Sequence, residues 1–192
     1  MKLYYTPRSH FSRKVRILLR AMEIDVELVD VGNVADGHDI FGSNPLMKVP
    51  TVVDGELDVF DSDHIAQYLV RKYTPDDKFS VFTTDVMELN ARAVINGAMS
   101  AEVELLLAER TGLDTGKHQR FDKIKASIVN GLMWLESHAD VFPEKPSYLG
   151  FHLVSMWDHL KLYGLVQLDY PQLKEKVERI SKEPFVSESM PS

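Results

Sequence analysis

The chain has 192 residues, 44% of them hydrophobic, and a net charge of −7 from 22 basic and 29 acidic side chains. That length and apolar content suffice to bury the core of one large domain or two small ones. The acidic balance argues against a nucleic-acid or anionic-membrane binder, which needs basic surface, and the absence of cysteine excludes disulfides, thiolate metal sites and a cysteine nucleophile.

The N-terminus carries no signal-peptide pattern, because Lys2 is followed only by Leu3, Tyr4 and Tyr5 before a polar turn. No apolar run approaches the roughly 20 residues of a membrane span, so a soluble cytoplasmic protein is expected. Residues 2–6 read as a strand and 11–23 as a helix. Phe11, Val15, Leu18, Leu19 and Met22 fall on one face of that helix, with Arg13, Lys14, Arg16 and Arg20 on the others. Val26, Leu28, Val29 and Val31 mark a second strand, and a βαβ unit with parallel strands follows. Residues 32–48 are irregular, punctuated by Gly32, Gly37, Gly42 and Pro45. A loop this long is often functional. Two strands flank Asp54-Gly55-Glu56 as an antiparallel hairpin, and Ile65, Ala66, Leu69, Val70 and Tyr73 trace the next helix.

Character changes near Thr74-Pro75-Asp76-Asp77, which reads as a linker. Beyond it the pattern is helical. One helix covers 84–110 through Leu89, Ala93, Asn96, Val103 and Leu107, and another covers 117–139 through Phe121, Ile124, Ile128, Leu132 and Leu135. Ser155-Met156-Trp157-Asp158 has the form of a capping box, opening a helix that ends near Gly164. Pro171 suits the first turn of a last helix with Leu173, Val177 and Ile180 inward, and Pro184 ends it. The tail Val186–Ser192 is polar apart from Met190 and is expected to be loose.

Ser9 stands at the start of the first helix. Unpaired backbone N–H groups and the partial positive charge there favour an anion or a thiolate. Its hydroxyl can cap its own helix or donate to a bound anion, and the local sequence leaves both open. The histidines form no metal signature: His152 and His159 lie two turns apart without a third ligand. No glycine-rich phosphate loop and no serine-hydrolase elbow is present.

Four segments in order resemble the cytosolic glutathione S-transferase family, of the serine type found in bacteria. Ser9-His10-Phe11 with Arg13-Lys14-Val15-Arg16 resembles its serine active-site segment. Asn44-Pro45-Leu46-Met47-Lys48-Val49-Pro50-Thr51 resembles the loop to its cis-proline, and Asp61-Ser62 with Ile65 and Tyr68-Leu69 its acid-Ser helix start. Ser155–Asp158 resembles its C-terminal capping box, and Tyr170-Pro171…Arg179-Ile180…Pro184 fits its ending. The resemblance implies a thioredoxin-like glutathione-binding domain over 1–75 and an all-helical domain over 84–192.

It also implies roles. Glutathione is the co-substrate, with no metal. Ser9 donates a hydrogen bond to its thiolate, with Tyr5 the rival donor and Ser12 a backup; Arg13 either adds positive potential near the sulfur or is a solvated helix charge. Ser62 and the N–H groups around it take the γ-glutamyl carboxylate, and Asp61 the ammonium. Val49 offers backbone groups to the cysteinyl part, Pro50 in cis shapes that edge, and Lys48 or His38 reaches the glycyl carboxylate. The family pattern is departed from at His10, where Pro or a small residue is common, at Met47, where Gly is common, and at Asp61, one methylene shorter than the usual Glu. An apolar pocket near Met99, Val103 and Trp157 would take a small hydrophobic electrophile, a detoxification chemistry carried out as a homodimer. The alternatives are a glutathione-dependent isomerase or dehalogenase, and a non-catalytic protein-interaction module. Ser9, Pro50 and Asp61-Ser62 occurring together favour an enzyme, since a scaffold needs none of them.

Overall fold

A computed structural model of the chain describes residues 1–34 and 40–191. Four strands, β1 (Lys2–Tyr5), β2 (Glu27–Asp30), β3 (Thr51–Asp54) and β4 (Leu57–Phe60), form one sheet in the order β2-β1-β3-β4. β2 runs parallel to β1, β3 antiparallel to β1, and β4 antiparallel to β3. The β3–β4 turn is the two residues Gly55 and Glu56, and Gly55 takes a φ of +66° that a tight hairpin asks of its first turn residue. This is the mixed sheet of a thioredoxin-like fold. Seven helices complete the described structure: α1 (His10–Ala21), α2 (Ser62–Tyr73), α3 (Val86–Arg110), α4 (Gln119–Ser137), α5 (Tyr148–Tyr163), α6 (Pro171–Ile180) and the single turn α7 (Pro184–Ser187). None of the described helices is long and apolar enough to cross a membrane.

α1 departs from the expected amphipathic helix. It packs against α2, α5 and α7, and every residue from Ser12 to Leu19 is buried. Arg13, Lys14 and Arg16 are therefore inside, and only Arg20 of the four cationic side chains is exposed. Burial of such groups requires partners, and these come from the second half of the chain. Arg13 donates to Asp158 Oδ2 at 2.7 Å and to the Val154 carbonyl at 3.1 Å, both on α5. Its Nε donates to Ser189 Oγ at 3.2 Å. Arg13 is neither a solvated charge nor a free positive potential; it is a tie between α1, α5 and the chain's last residues.

Three further expectations change. α5 begins at Tyr148, with Ser147 Oγ accepting the Gly150 N–H at 3.1 Å, so Ser155 and Asp158 lie mid-helix and cap nothing. α3 turns a different face inward: Ala91, Arg92, Ile95, Ala98, Met99, Glu102 and Leu105 are buried while Leu89 and Leu107 are exposed. Two buried charges in that stripe disguise it as polar. The tail is not loose through Pro191. α6 stops at Ile180, Pro184 opens α7 instead of ending the last helix, and Val186 and Ser189 are fully buried.

Candidate active site

The register of the sheet decides where the predicted segments meet. Tyr4 pairs with Thr51 and Thr51 with Phe60, so the end of β1, the start of β3 and the end of β4 share one edge of the sheet. The chain leaves β1 there toward Ser9, enters β3 there through Val49 and Pro50, and leaves β4 there into Asp61 and Ser62. Three segments far apart in sequence thus emerge side by side, each next to an element terminus.

Ser9 is the N-cap of α1 and half-buried; its Oγ accepts the Ser12 N–H at 3.1 Å. That bond uses an oxygen lone pair and leaves the hydroxyl proton free to donate. Capping and donation, which the sequence sets as alternatives, are compatible in one side chain. Ser12 itself is fully buried, with an Oγ that makes no hydrogen bond. A small, tight void lies beside Ser9, lined by Pro7, Arg8, His10, Ser155, His159 and Pro191. The Tyr5 ring is stacked under the Arg16 guanidinium, 4.8 Å from its centroid.

Val49 is half-buried and Pro50 buried, and the bond between them is cis. Asn44 organises the approach: its Nδ2 donates to the Lys48 carbonyl at 2.9 Å and to Thr51 Oγ1 at 3.0 Å, and its Oδ1 accepts the Leu46 N–H. Met47 sits in this loop with φ of +50°, a left-handed conformation that glycine adopts without penalty. The Lys48 side chain is exposed, and His38 lies outside the described residues.

Asp61 is the N-cap of α2 with an unusual φ of +70°, and its Oδ1 accepts the N–H groups of Asp63 at 2.9 Å and His64 at 3.3 Å. Non-glycine residues held in such backbone regions cluster at ligand sites. Ser62, the first residue of α2, is buried.

Behind these segments lies a polar network that motif reading missed. Lys14 is fully buried, and its Nζ stands 2.7 Å from Asp63 Oδ1, 3.0 Å from Asn96 Oδ1 and 2.8 Å from His152 Nε2. Asn96 donates to Asp63 Oδ2 at 2.7 Å. The Tyr148 hydroxyl lies 2.9 Å from Asp63 Oδ1 and 3.1 Å from the Ser62 carbonyl. Burial pushes the Asp63 carboxyl up, but the hydrogen bonds and charges of His152 and Lys14 outweigh it and hold it well below the usual carboxylate range. His152 itself is pushed down to about 4 by burial and by Lys14. Its Nδ1 lies 2.8 Å from the Tyr148 carbonyl, and its Nε2 stands 3.0 Å from Asp63 Oδ1 as well as beside Lys14. The network fixes the start of α2, with Ser62 and Asp61 upon it, to α1, α3 and α5.

His159 also finds partners that its spacing from His152 does not reveal. Its Nδ1 bonds Glu102 Oε2, and its ring lies 3.9 Å, centroid to centroid, from that of His10. Met99 and Trp157 are core residues, and neither they nor Val103 line the void beside Ser9.

Residues 3–76 match the family model described as the glutathione S-transferase N-terminal domain. Across the whole chain the fold is that of a glutathione S-transferase from Methylobacterium radiotolerans solved with glutathione sulfonate, at a TM-score of 0.84 and 22% identity, covering 99% of this chain and 94% of that one. The segment 3–76 thus matches the glutathione S-transferase N-terminal domain, and the chain as a whole has the fold of solved glutathione S-transferases. A maleyl pyruvate isomerase described as a bacterial zeta-class glutathione S-transferase superposes at a TM-score of 0.79, with 19% identity, over 100% of this chain and 97% of that one. Among curated relatives, Glutathione S-transferase 1 of Manduca sexta is 33% identical over 116 residues, which is 58% of this chain and 51% of that protein. The chain thus spans about half the length of that relative.

Proposed function

We propose that the chain is a glutathione transferase of the serine type, built of a glutathione-binding domain over residues 1–75 and a helical domain over 84–192. It binds glutathione as co-substrate and conjugates its thiolate to a small hydrophobic alkyl or aryl electrophile, a detoxification reaction carried out in the cytoplasm. The observation that carries this reading is the convergence of Ser9, Val49–Pro50 and Asp61–Ser62 at one edge of the sheet.

A cysteine-like thiol has a pKa of about 8.5 and is mostly protonated at neutral pH. Ser9 lowers it by donating its free hydroxyl proton to the sulfur at the positive end of α1. Ser62 and the first N–H groups of α2 receive the γ-glutamyl carboxylate. Asp61, whose Oδ1 is engaged in capping, offers its second carboxylate oxygen to the ammonium. Val49 pairs its backbone with the cysteinyl residue. The thiolate then attacks the electrophilic carbon, forming the C–S bond as the leaving group departs with its electron pair. Homodimer assembly is supported by the exposed apolar side chains of Val86 and Leu89 on α3 and Met133 on α4.

The test is glutathione binding by calorimetry, with turnover of an aromatic electrophile by the native chain and Ser9→Ala. We expect saturable binding in both, kcat about 10²- to 10³-fold lower in Ser9→Ala, and a higher thiol pKa by ultraviolet thiolate absorbance. Absence of binding by the native chain overturns the reading. Binding without turnover assigns a non-catalytic module, and unchanged turnover in Ser9→Ala moves the donor role to Tyr5.

A further inference from the structure

His10, Glu102 and His159 come from α1, α3 and α5 and meet in the interior, 2%, 0% and 5% exposed. Each directs a ligand atom into a common space, and these atoms all lie within 4.8 Å of one another. Two polar atoms of the group lack partners: His10 Nδ1 and Glu102 Oε1 are buried and make no hydrogen bond among the described residues. An unpaired buried polar atom is destabilising, so two in one cluster call for an occupant.

The ring of His10 is already set for one. Its Nε2 lies 3.0 Å from the Met99 carbonyl. A carbonyl only accepts, so Nε2 carries the proton and Nδ1 presents its lone pair inward. A backbone bond of this kind fixes the tautomer of a metal-binding histidine.

We propose that His10, Glu102 and His159 form a site for one divalent transition cation of the zinc type. Two imidazoles and one carboxylate are a donor set that zinc uses where a fourth position stays open, and nitrogen–oxygen sets of this kind also take cobalt. Bonds of about 2.0–2.2 Å require side-chain shifts on the order of an ångström from the present spread, with the cation replacing the direct Glu102–His159 contact. His10 and His159 both line the small void beside Ser9. The site needs no glutathione and stands independently of the transferase reading.

The chain, dialysed against a chelator, is titrated with Zn²⁺ by calorimetry and with Co²⁺ by visible absorption, in the absence of glutathione. One equivalent of either ion is expected, with Co²⁺ giving the intense d–d bands of a low-coordinate nitrogen–oxygen site. Glu102→Gln and His159→Gln should each weaken binding at least 10-fold while retaining native circular dichroism. His64→Gln, on exposed α2 surface, should bind as the native chain does. Two variants on different helices guard against one failing to fold. No saturable binding by the native chain overturns the proposal. Affinity unchanged in Glu102→Gln and His159→Gln assigns the ion to surface histidines and overturns it equally.

Discussion

Arg13 has 1% of its side chain exposed and keeps its charge through Asp158, whose side chain is 12% exposed. Removing one member of a buried pair leaves the other uncompensated in low dielectric, at a cost of about 3–5 kcal/mol. Asp158→Asn keeps the shape and removes the charge, so urea denaturation should show a loss in that range. A loss under 1 kcal/mol would mean that Ser189 and the Val154 carbonyl alone suffice for the guanidinium. The helix-start positions of Ser9, Asp61 and Ser62 are readable because helix starts announce themselves through neighbours three or four residues away. The burial of Arg13 and Lys14 is not, because their partners stand 145 and 49 residues along the chain. A local pattern registers four cations on a helix and infers water around them.

At the scale of elements, the sheet, α2, α4 and α6 match the sequence reading closely, since their apolar periodicity is unbroken, and α1 matches it in extent but not in the faces it buries. α5 was misjudged at its start. Ser147 follows Pro146 and precedes Gly150, which mask the cap, whereas Ser155-Met156-Trp157-Asp158 has capping-box spacing inside a continuous helix. The two serines therefore behave differently. Ser147→Ala removes a cap bond and should cost about 1 kcal/mol. Ser155 Oγ is buried with no hydrogen bond, so Ser155→Ala sheds an unsatisfied hydroxyl and should be neutral or stabilising. Paired urea titrations of the two variants check this, and the reverse order would put the helix start back at Ser155. α3 was misphased for a related reason. Arg92 and Glu102 face inward, where Arg92 is held by the Val81 carbonyl at 2.7 Å and Glu102 by His159. A hydrophobic stripe interrupted by two charges does not look like a core.

For the whole molecule, buried histidines set the response to acid. His152 is lowered to about 4 by burial and Lys14, and His10 is lowered by burial, His159 and Lys14. Unfolded histidine titrates near 6.5. Between pH 6.5 and 4 the unfolded chain therefore binds protons that the folded chain refuses, and stability falls as pH falls. The Glu102–His159 pair behaves otherwise. Burial raises Glu102 well above its ordinary value, while burial and Arg110 lower His159 to about 4. The two shifts oppose one another: the lowered His159 makes the folded chain refuse a proton in acid, and the raised Glu102 makes it take one up. Urea midpoints from pH 7 to 4 should decline, with His152 contributing on the order of 3 kcal/mol. His152→Gln should flatten the decline without altering the alkaline side, and an unchanged profile would exclude His152 as its source.

The ties of Arg13 and Lys14 also bear on inheritance by recombination. α1 belongs to the sheet half of the chain, yet Arg13 is neutralised by Asp158 on α5, and Lys14, paired with Asp63 on α2, is bonded also from Asn96 on α3 and His152 on α5. A sheet half joined to the helical half of a distant relative folds only if that half brings acceptors where Asp158, Asn96 and His152 now stand. Chimeras with a foreign segment from residue 84 onward should be recovered as soluble protein when those three positions are grafted and lost to aggregates when they are not. Seamless exchange without the graft would show that the two halves are interchangeable modules after all.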